Sequence, residues 1–599
     1  MNSSYDKWPS VAVPGGGSGC AVGWDAVAAR LREAIDARDE ARTVLTVECY
    51  PGVDEAGVLR ELAVRLPVRL ALASGEALRL PAEVEALVAP YLGGDDPVFG
   101  RLCGLDLPEF FAPAGLDRLR RQIARVDRGL VLVAGCGAQL VAPGDILVYA
   151  DLARWEAQLR FRRGESGNLG VANRSDPATR LYKRAFFVDW RVADRWKRPL
   201  IARWDFVLDT NDRSTPKLAA GAAVRRGLAH AVTRPFRVVP YFDPAPWGGQ
   251  WLKEACDLDR TVPNYGWGFD CVPEENSLLL DFGGIRMELP AIDLVFSQAG
   301  ALLGESVCGR FGEEFPIRFD FLDTMGGGNL SCQVHPRLQF IRDRFGLTYT
   351  QDESYYLLQA EPDASVWLGL QSGVEPPAML ADLRQAQAGG TPFRAERYVN
   401  RIPARKHDHF LIPAGTVHCA GAGAVVLEIS ATPYLFTFKM WDWARLGMDG
   451  KPRPIHLDYA AANVDWSRTT LSVRENLINR VSLLAGGEGW REEQTGLHLQ
   501  SFIETRRHWF TGTVPHDTGG RLHGSVNVLN LVEGTEAVVE SPDGAFAPFP
   551  VHYAETFIVP ASVGRYTIRP VGGKERQTES ATIKALIRSQ AAPSRDPNQ

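Results

Sequence analysis

The chain holds 599 residues, with 66 Lys and Arg against 72 Asp and Glu for a formal net charge of −6. That length exceeds what one hydrophobic core serves and implies roughly two to four domains, while the mixed charge leaves no broad basic field and so excludes nucleic acid as the principal partner. No apolar run approaches the ~20 residues of a spanning helix, the opening "MNSSYDKWPSVAVPGGGSGC" lacks the order of a signal peptide, and nine cysteines without a CxxC pair fit reduced thiols, so a cytoplasmic chain that avoids membranes is expected.

In chain order, residues 1–24 are rich in Gly, Ser and Pro and are expected to be a flexible lead-in. From 25 to 235 helical and strand patterns alternate. The stretch "WDAVAARLREAIDARDEA" reads as a helix and "RTVLTVECY" as a strand, with further helices at "VLRELAVRL" and "LDRLRRQIARV" and strands at "GLVLVAGCGAQLV" and "DILVYADL". This alternation implies a mostly parallel α/β domain. The order strand, glycine turn, helix in "RTVLTVECYPGVDEAGVLREL", with "FFVDWRVADRWKRPL" and "WDFVLDTND" further on, resembles the uridine-kinase-like P-loop fold. The turn itself reads Tyr50, Pro51, Gly52, Val53, Asp54, Glu55, without the Gly-Lys-Ser/Thr that cradles a nucleotide phosphate, so a degenerate scaffold is expected.

After about 236 the texture changes to short strands broken by Gly and Pro, the mark of barrels and sandwiches. "HFLIPAGTVH" at 409–418 and "TFIVPASVGR" at 556–565 share an aromatic, aliphatics, proline and alanine in register, which implies two copies of one β unit. His418 in the first copy stands where the second has Arg565. In "SCQVHPRLQF" Gln333 and His335 lie two apart, so a strand turns both to one face, either to grip something or as a polar pair on a wet sheet surface. Glu353 and His418 complete a set of imidazole and oxygen ligands whose spacing fits adjacent antiparallel strands. Such a set without thiolate suits Zn²⁺, with Mn²⁺, Fe²⁺ or Co²⁺ as other divalent ions it accommodates.

Residues about 240–485 resemble the class I mannose-6-phosphate isomerases, a family of zinc-dependent cupin enzymes. The motifs that carry the likeness are "PWGGQWL", "FPIRFDFLDTMGGGNLSCQVHP", "YTQDESYYLLQAEPDASVWLGL" and "RYVNRIPARKHDHFLIPAGTVHCAGAGAVVLEIS". The resemblance implies metal ligands at Gln333, His335, Glu353 and His418, a metal-binding cupin over 236–485 and a second cupin without metal over 486–590, while the composition of "AAPSRDPNQ" implies a tail at 591–599. It also implies a sugar phosphate as the small-molecule partner; no feature of the sequence specifies an oligomeric state. The chain departs from the family at Gln351, where a lysine stands two residues before the glutamate ligand, and in "SATPYLFTFKMWDWARLG", which lacks the acidic run and offers Lys439 nearest the family's arginine. Lys439, Arg401, Arg405, Lys406 and Arg445 are the candidate cations, and Glu428 is the candidate base. The expectation is therefore a degenerate α/β domain followed by a double cupin that interconverts mannose 6-phosphate and fructose 6-phosphate; the alternative is a non-catalytic metal-binding cupin that binds or senses a carbohydrate.

Overall fold

The computed structural model describes residues 3–17, 19–431, 434, 436–496, 498, 501–571 and 579–588. Two compact units emerge, one built from residues 10–231 with 277–297 and the other from the first nine residues, 232–276 and 298 onward. The division expected near 236 thus falls at 231/232, and 277–297 goes with the N-terminal unit although its texture is that of the β half. The reason is a hairpin, β11 (Ser277–Asp281) with β12 (Arg286–Pro290), whose first strand pairs in parallel with β1 (Ser10–Ala12). The lead-in is correspondingly not loose: Val11 and Val13 are buried, Tyr5 is buried with its hydroxyl on Asp270, and β2 (Cys20–Val22) joins a sheet. Strands three residues long in a Gly-rich stretch carry too little periodicity to be read. The expected tail at 591–599 lies outside the described residues.

The N-terminal unit is a seven-stranded sheet of β2, β3 (Arg42–Cys49), β4 (Val68–Ala73), β5 (Gly129–Gly135), β6 (Ile146–Asp151), β7 (Phe206–Asp209) and β8 (Lys217–Ala220), in the spatial order 2-8-7-6-3-5-4. β4, β5, β3, β6 and β7 run parallel, and β8 and β2 close one edge antiparallel. The central strands are near-continuous apolar runs, as strands covered on both faces must be. At the C-terminal end of β3 the chain turns through Gly52, whose φ of 106° favours glycine, into the helix Glu55–Arg65, capped by Asp54 through its carboxylate on Gly57 N. The chain itself fills this turn. Arg160 donates to Gly52 O at 2.9 Å and Thr210 O at 2.6 Å. Glu48 accepts from Gly137 N and Gln139 N at 2.6 and 2.8 Å, and Glu55 accepts from Cys136 N at 3.1 Å, so carboxylates already occupy backbone donors just past β5. Lys197, fully buried, bridges Asp151 and Asp293 at 2.6 and 2.8 Å.

The second unit holds two modules of facing antiparallel sheets. In the first, β9 (Tyr241–Asp243), β10 (Trp267–Cys271), β13 (Arg318–Asp323), β15 (Glu353–Ala360), β18 (His409–Ile412) and β20 (Ala424–Ser430) form one sheet in the order 18-15-20-13-10-9. The other sheet has β14 (Cys332–Val334), β16 (Ser365–Leu370), β17 (Val399–Pro403), β19 (His418–Ala420) and β21 (Phe438–Trp441), in the order 17-16-19-14-21. The second module begins at 482, four residues before the expected boundary. One sheet comprises β22 (Ser482–Gly487), β23 (Trp490–Gly496), β24 (Ile503–Phe510), β26 (Asn527–Glu533), β29 (Thr556–Val559) and β31 (Ser580–Ile587). Facing it are β25 (Val514–Asp517), β27 (Glu536–Glu540), β28 (Phe549–His552) and β30 (Arg565–Pro570). Phe510, Val514, Leu529, Leu531, Phe557 and Ile568 pack between them as a core.

The strand pairs β13/β20, β15/β20, β15/β18, β14/β19, β16/β19 and β16/β17 recur as β24/β31, β26/β31, β26/β29, β25/β30, β27/β30 and β27/β28. The repeat read from two ten-residue motifs therefore extends over eight strands. The expected equivalence of His418 with Arg565 is corrected by register. Arg565 pairs with Asp517 on the outer face and reaches Asp543 at 3.0 Å with its side chain 69% exposed, whereas the inward pair is Tyr566 opposite His516. Alternation makes one residue of slip a change of face.

His508 is buried beside His516, ring centroids 4.4 Å apart, and burial pushes it down to about 4. It stays neutral in the native state while an unfolded histidine takes up a proton below about 6.5. Its contribution is therefore complete above pH 6.5 and is lost as pH falls from there to about 4. Compared with His508→Gln in urea unfolding, the wild type is expected to lose about 1.4 kcal/mol per pH unit across that window; a difference between the two proteins that does not change with pH contradicts this.

Candidate metal centre

Alternation along two facing sheets gathers the site. Glu353 opens β15; Gln333 lies in β14 opposite His418 of β19, and His335 follows directly. All four are buried, so the face they share is not a wet one. His335 Nε2 lies 3.0 Å from one Glu353 oxygen and His418 Nε2 lies 2.8 Å from the other. Gln333 Nε2 is 3.3 Å from His418 Nε2. Each imidazole commits its other nitrogen to the backbone: His335 Nδ1 to Phe436 O and His418 Nδ1 to Thr416 O, both at 2.8 Å. A carbonyl only accepts, so Nδ1 carries the proton and Nε2 of a neutral ring is left with a lone pair aimed at a carboxylate.

Lone pair against lone pair at these distances requires a cation, either a second proton on each ring or a metal ion. Despite the cost of burying a charged ring, the carboxylate holds His335 above its usual range, and the two rings hold Glu353 below its own. His335, Glu353 and His418 form the one group among the described residues able to offer three such ligand atoms within 4.8 Å of one another. Ligands about 2.1 Å from one tetrahedral ion lie about 3.4 Å apart, close to the spacings here. Backbone carbonyls orienting the ring N–H groups are the usual outer partners of metal-bound histidine. The donor set thus fits a divalent ion, with the amide of Gln333 beside it.

Gln351 is fully buried in strand-entry geometry before Glu353. Its Nε2 donates to Glu353 Oε2 at 3.1 Å, and its Oε1 accepts from Phe436 N at 2.9 Å. Where the resembled family has lysine, this chain has a neutral amide that fixes the carboxylate. Lys439 pairs in register with Gln333 and so shares its face. Burial, with Arg453 and Arg445 nearby and Asp442 opposing them, pushes Lys439 down to about 7. Arg445 and Arg453 each reach Asp442 at 2.6 Å. The sequence reading missed Arg453, which lies beyond the motif that drew attention to its neighbours.

Two of the other expected cations have side chains engaged elsewhere. Lys406 pairs with Glu533 at 2.6 Å, and Arg401 bonds Ser365 and lies over the Trp367 ring. Arg405, on the loop before β18, uses its backbone N–H on Asp408. Glu428 is buried in β20, opposite Asp320 on one side and Tyr355 on the other. Burial first, then the charges of Glu353 and Asp320, hold it well above the usual carboxylate range. Thr432, Pro433 and Leu435 of the altered run lie outside the described residues.

In the second module Asn527 opens β26 opposite Val559, as Glu353 opens β15 opposite Ile412. Asn527 Nδ2 donates to Tyr566 OH at 2.9 Å, so an amide and a phenol stand where the first module has carboxylate and imidazole.

Residues 23–233 match a family model described as a domain of unknown function (DUF8485). The chain is 26% identical over 215 residues to "Mannose-6-phosphate isomerase" of Streptococcus mutans, covering 35% of this chain and 62% of that protein. It is 24% identical over 229 residues to "Mannose-6-phosphate isomerase ManA" of Bacillus subtilis, covering 38% of this chain and 66% of the relative. Each match thus spans just under two thirds of the relative. Among solved structures, the mannose 6-phosphate isomerase from Bacillus subtilis aligns with 59% of this chain and 100% of its own at 18% identity and a TM-score of 0.46. The chain is thus homologous, at low identity and over part of its length, to enzymes named mannose-6-phosphate isomerase.

Proposed function

We propose that the first β module is a metal-dependent cupin and an aldose–ketose isomerase of sugar phosphates, of the type that interconverts mannose 6-phosphate and fructose 6-phosphate, with Zn²⁺ as the metal. The observation that carries this reading is the pair of imidazole lone pairs facing one buried carboxylate. His335, Glu353, His418 and Gln333 are the ligands in this reading. The sequence likeness to isomerases supports the reaction class.

Bound there, Zn²⁺ supplies Lewis-acid polarisation of substrate oxygens. The remaining work falls to side chains. Aldose and ketose exchange through an enediolate once a base removes the proton beside the carbonyl. Glu428, on the lumen face one register step from Glu353, takes that proton once ionised. Lys439, on the other sheet, stabilises the negative charge that develops on oxygen, and Arg453 and Arg445 add positive charge for a phosphate, tempered by Asp442. The second reading, a metal-binding cupin that binds a carbohydrate without turning it over, is favoured by one observation: Gln351 replaces a titratable lysine beside the ligand carboxylate.

The N-terminal unit is, in our reading, a degenerate P-loop-like scaffold. Its first parallel strand is central and leads through a glycine turn into a helix, yet Glu48, Glu55 and Arg160 occupy that turn and its neighbour.

Elemental analysis of protein purified without chelator is expected to find about one divalent ion per chain, lost in His418→Ala and retained in Tyr566→Phe. Absence of metal, with no uptake of Zn²⁺ or Mn²⁺, contradicts the site. The metal-loaded protein is expected to exchange the C2 proton of an aldose 6-phosphate with deuterated water, observed by NMR, and Lys439→Ala to slow this about 10²-fold. Saturable binding of the sugar phosphate without any exchange instead establishes the binding-module reading. Calorimetry with Mg-ATP is expected to show no saturable binding in the micromolar range; micromolar binding abolished by Glu55→Ala means that the turn is functional.

A further inference from the structure

The lumen face of the first module carries a polar grid of which the isomerase reading uses only Glu353 and Glu428. On three adjacent strands, Arg318, Ser430 and Glu353 stand side by side, and Asp320, Glu428 and Tyr355 stand in the next inward row. All six side chains are buried. Arg318 Nε is bonded to Asp320, and its ring neighbour Phe269 lies 5.5 Å away. Both terminal nitrogens of the guanidinium, Arg318 Nη1 and Nη2, nevertheless have no hydrogen-bond partner in the protein, and neither has Asp320 Oδ1. Glu428 Oε1, in the same row as Asp320, is unpaired as well.

A guanidinium with its whole outer fork unpaired in a protein interior is costly, because each donor has lost water and gained nothing. Arg318, Asp320, Glu428, Ser430 and Tyr355 each leave a polar atom unpaired on one lumen face, which is a site prepared for something else. The chemistry of that partner follows from the inventory. Arg318 offers donors only, Asp320 offers acceptors, and Glu428, held protonated, offers a donor beside its remaining acceptor. The Arg318–Asp320 pair has no net charge and a further acid beside it, so a phosphate or carboxylate would gain a guanidinium but meet two carboxyl groups. A hydroxyl both accepts and donates, and two neighbouring hydroxyls satisfy a guanidinium nitrogen and a carboxylate oxygen together.

We propose that Arg318 and Asp320 are a hydroxyl-binding pair that holds the polyhydroxyl part of the substrate against the lumen wall beside Glu353, separate from the cations on β21 that take the phosphate. The proposal rests on the reading of this lumen as a sugar-phosphate site, and it makes the pair a determinant of substrate specificity. A site that hydrogen-bonds a hydroxyl discriminates strongly against an analogue without it, since its buried groups are then left unpaired.

The test uses the full-length, metal-loaded protein and three probes by calorimetry: mannitol 1-phosphate, a chain polyol phosphate that cannot isomerise; mannitol; and inorganic phosphate. Asp320→Asn and Arg318→Gln are expected to weaken mannitol 1-phosphate about 10–100-fold, in keeping with loss of one hydrogen bond to a charged group, and to leave inorganic phosphate within twofold. Arg318→Lys keeps the charge but loses the fork, and is expected to behave as Arg318→Gln does; it stands in if that variant does not fold. Equal loss for polyol phosphate and inorganic phosphate, or no loss for either, overturns the proposal and leaves the unpaired atoms to ordered water. Mannitol binding that depends on Asp320, in a protein that exchanges no sugar-phosphate proton, sustains the hydroxyl pair while the isomerase reading fails. No saturable binding of any polyol probe overturns the pair whatever the outcome of the exchange experiment.

Discussion

Two ring nitrogens with lone pairs, each 3.0 Å or less from an oxygen of the same buried carboxylate, form an arrangement that neutral groups cannot sustain. The local structure is built to keep it so. Phe436 and Thr416 carbonyls hold the histidine tautomers from behind, and Gln351 holds the carboxylate from the side. These contacts come from four separate strands and loops, so the site presupposes the closed module rather than any one segment of it. A metal ion held at the centre would link the two facing sheets, and its affinity would feed directly into the stability of that module.

The second module shows what the same topology does without that demand. Its eight corresponding strands preserve the pairing pattern, and at the equivalent entry positions an amide donates to a phenol. This pair is neutral and mutually satisfied, and it needs no ion. Below it the second lumen places Arg506, Lys584 and Leu529 at the register positions where the first has Asp320, Glu428 and Tyr355. The contrast is one of side chains on a common frame: both interiors are polar, but the first sets acids beside Arg318 and the second gathers Arg506, His508 and Lys584 around Glu492.

The sequence was most legible where chemistry and period coincide. Gln333 and His335 two apart on a strand, and His418 after a Pro-Ala-Gly turn, could be placed together because alternation fixes the face and the turn fixes the strand end. Arg565 was misplaced by the same logic: counting from the proline ignores register, and the structure turns Tyr566 inward instead. Arg318 and Asp320 were invisible because "IRFDF" is an ordinary alternating strand until the strands beside it are known. The lead-in failed on composition, since Gly and Ser signal looseness only when no neighbour offers a strand edge. The sequence 277–297 failed on adjacency along the chain, which is a weaker guide than the hairpin's pairing with β1.

That hairpin segment gives the molecule an unusual covalent plan. The chain passes between its two compact units after residue 9, again at 231/232, out at 276/277 and back at 297/298. A single nick in any of these passages leaves the two units still covalently joined through the others, and no one cut yields either unit whole. Severing the chain at 235 would also remove Asp293 and leave Lys197 a buried ammonium with one carboxylate where it had two. The α/β unit is therefore not a detachable module carried at one end of the chain: its own interior is completed by residues that the ribosome adds only after the first strands of the β unit have been made.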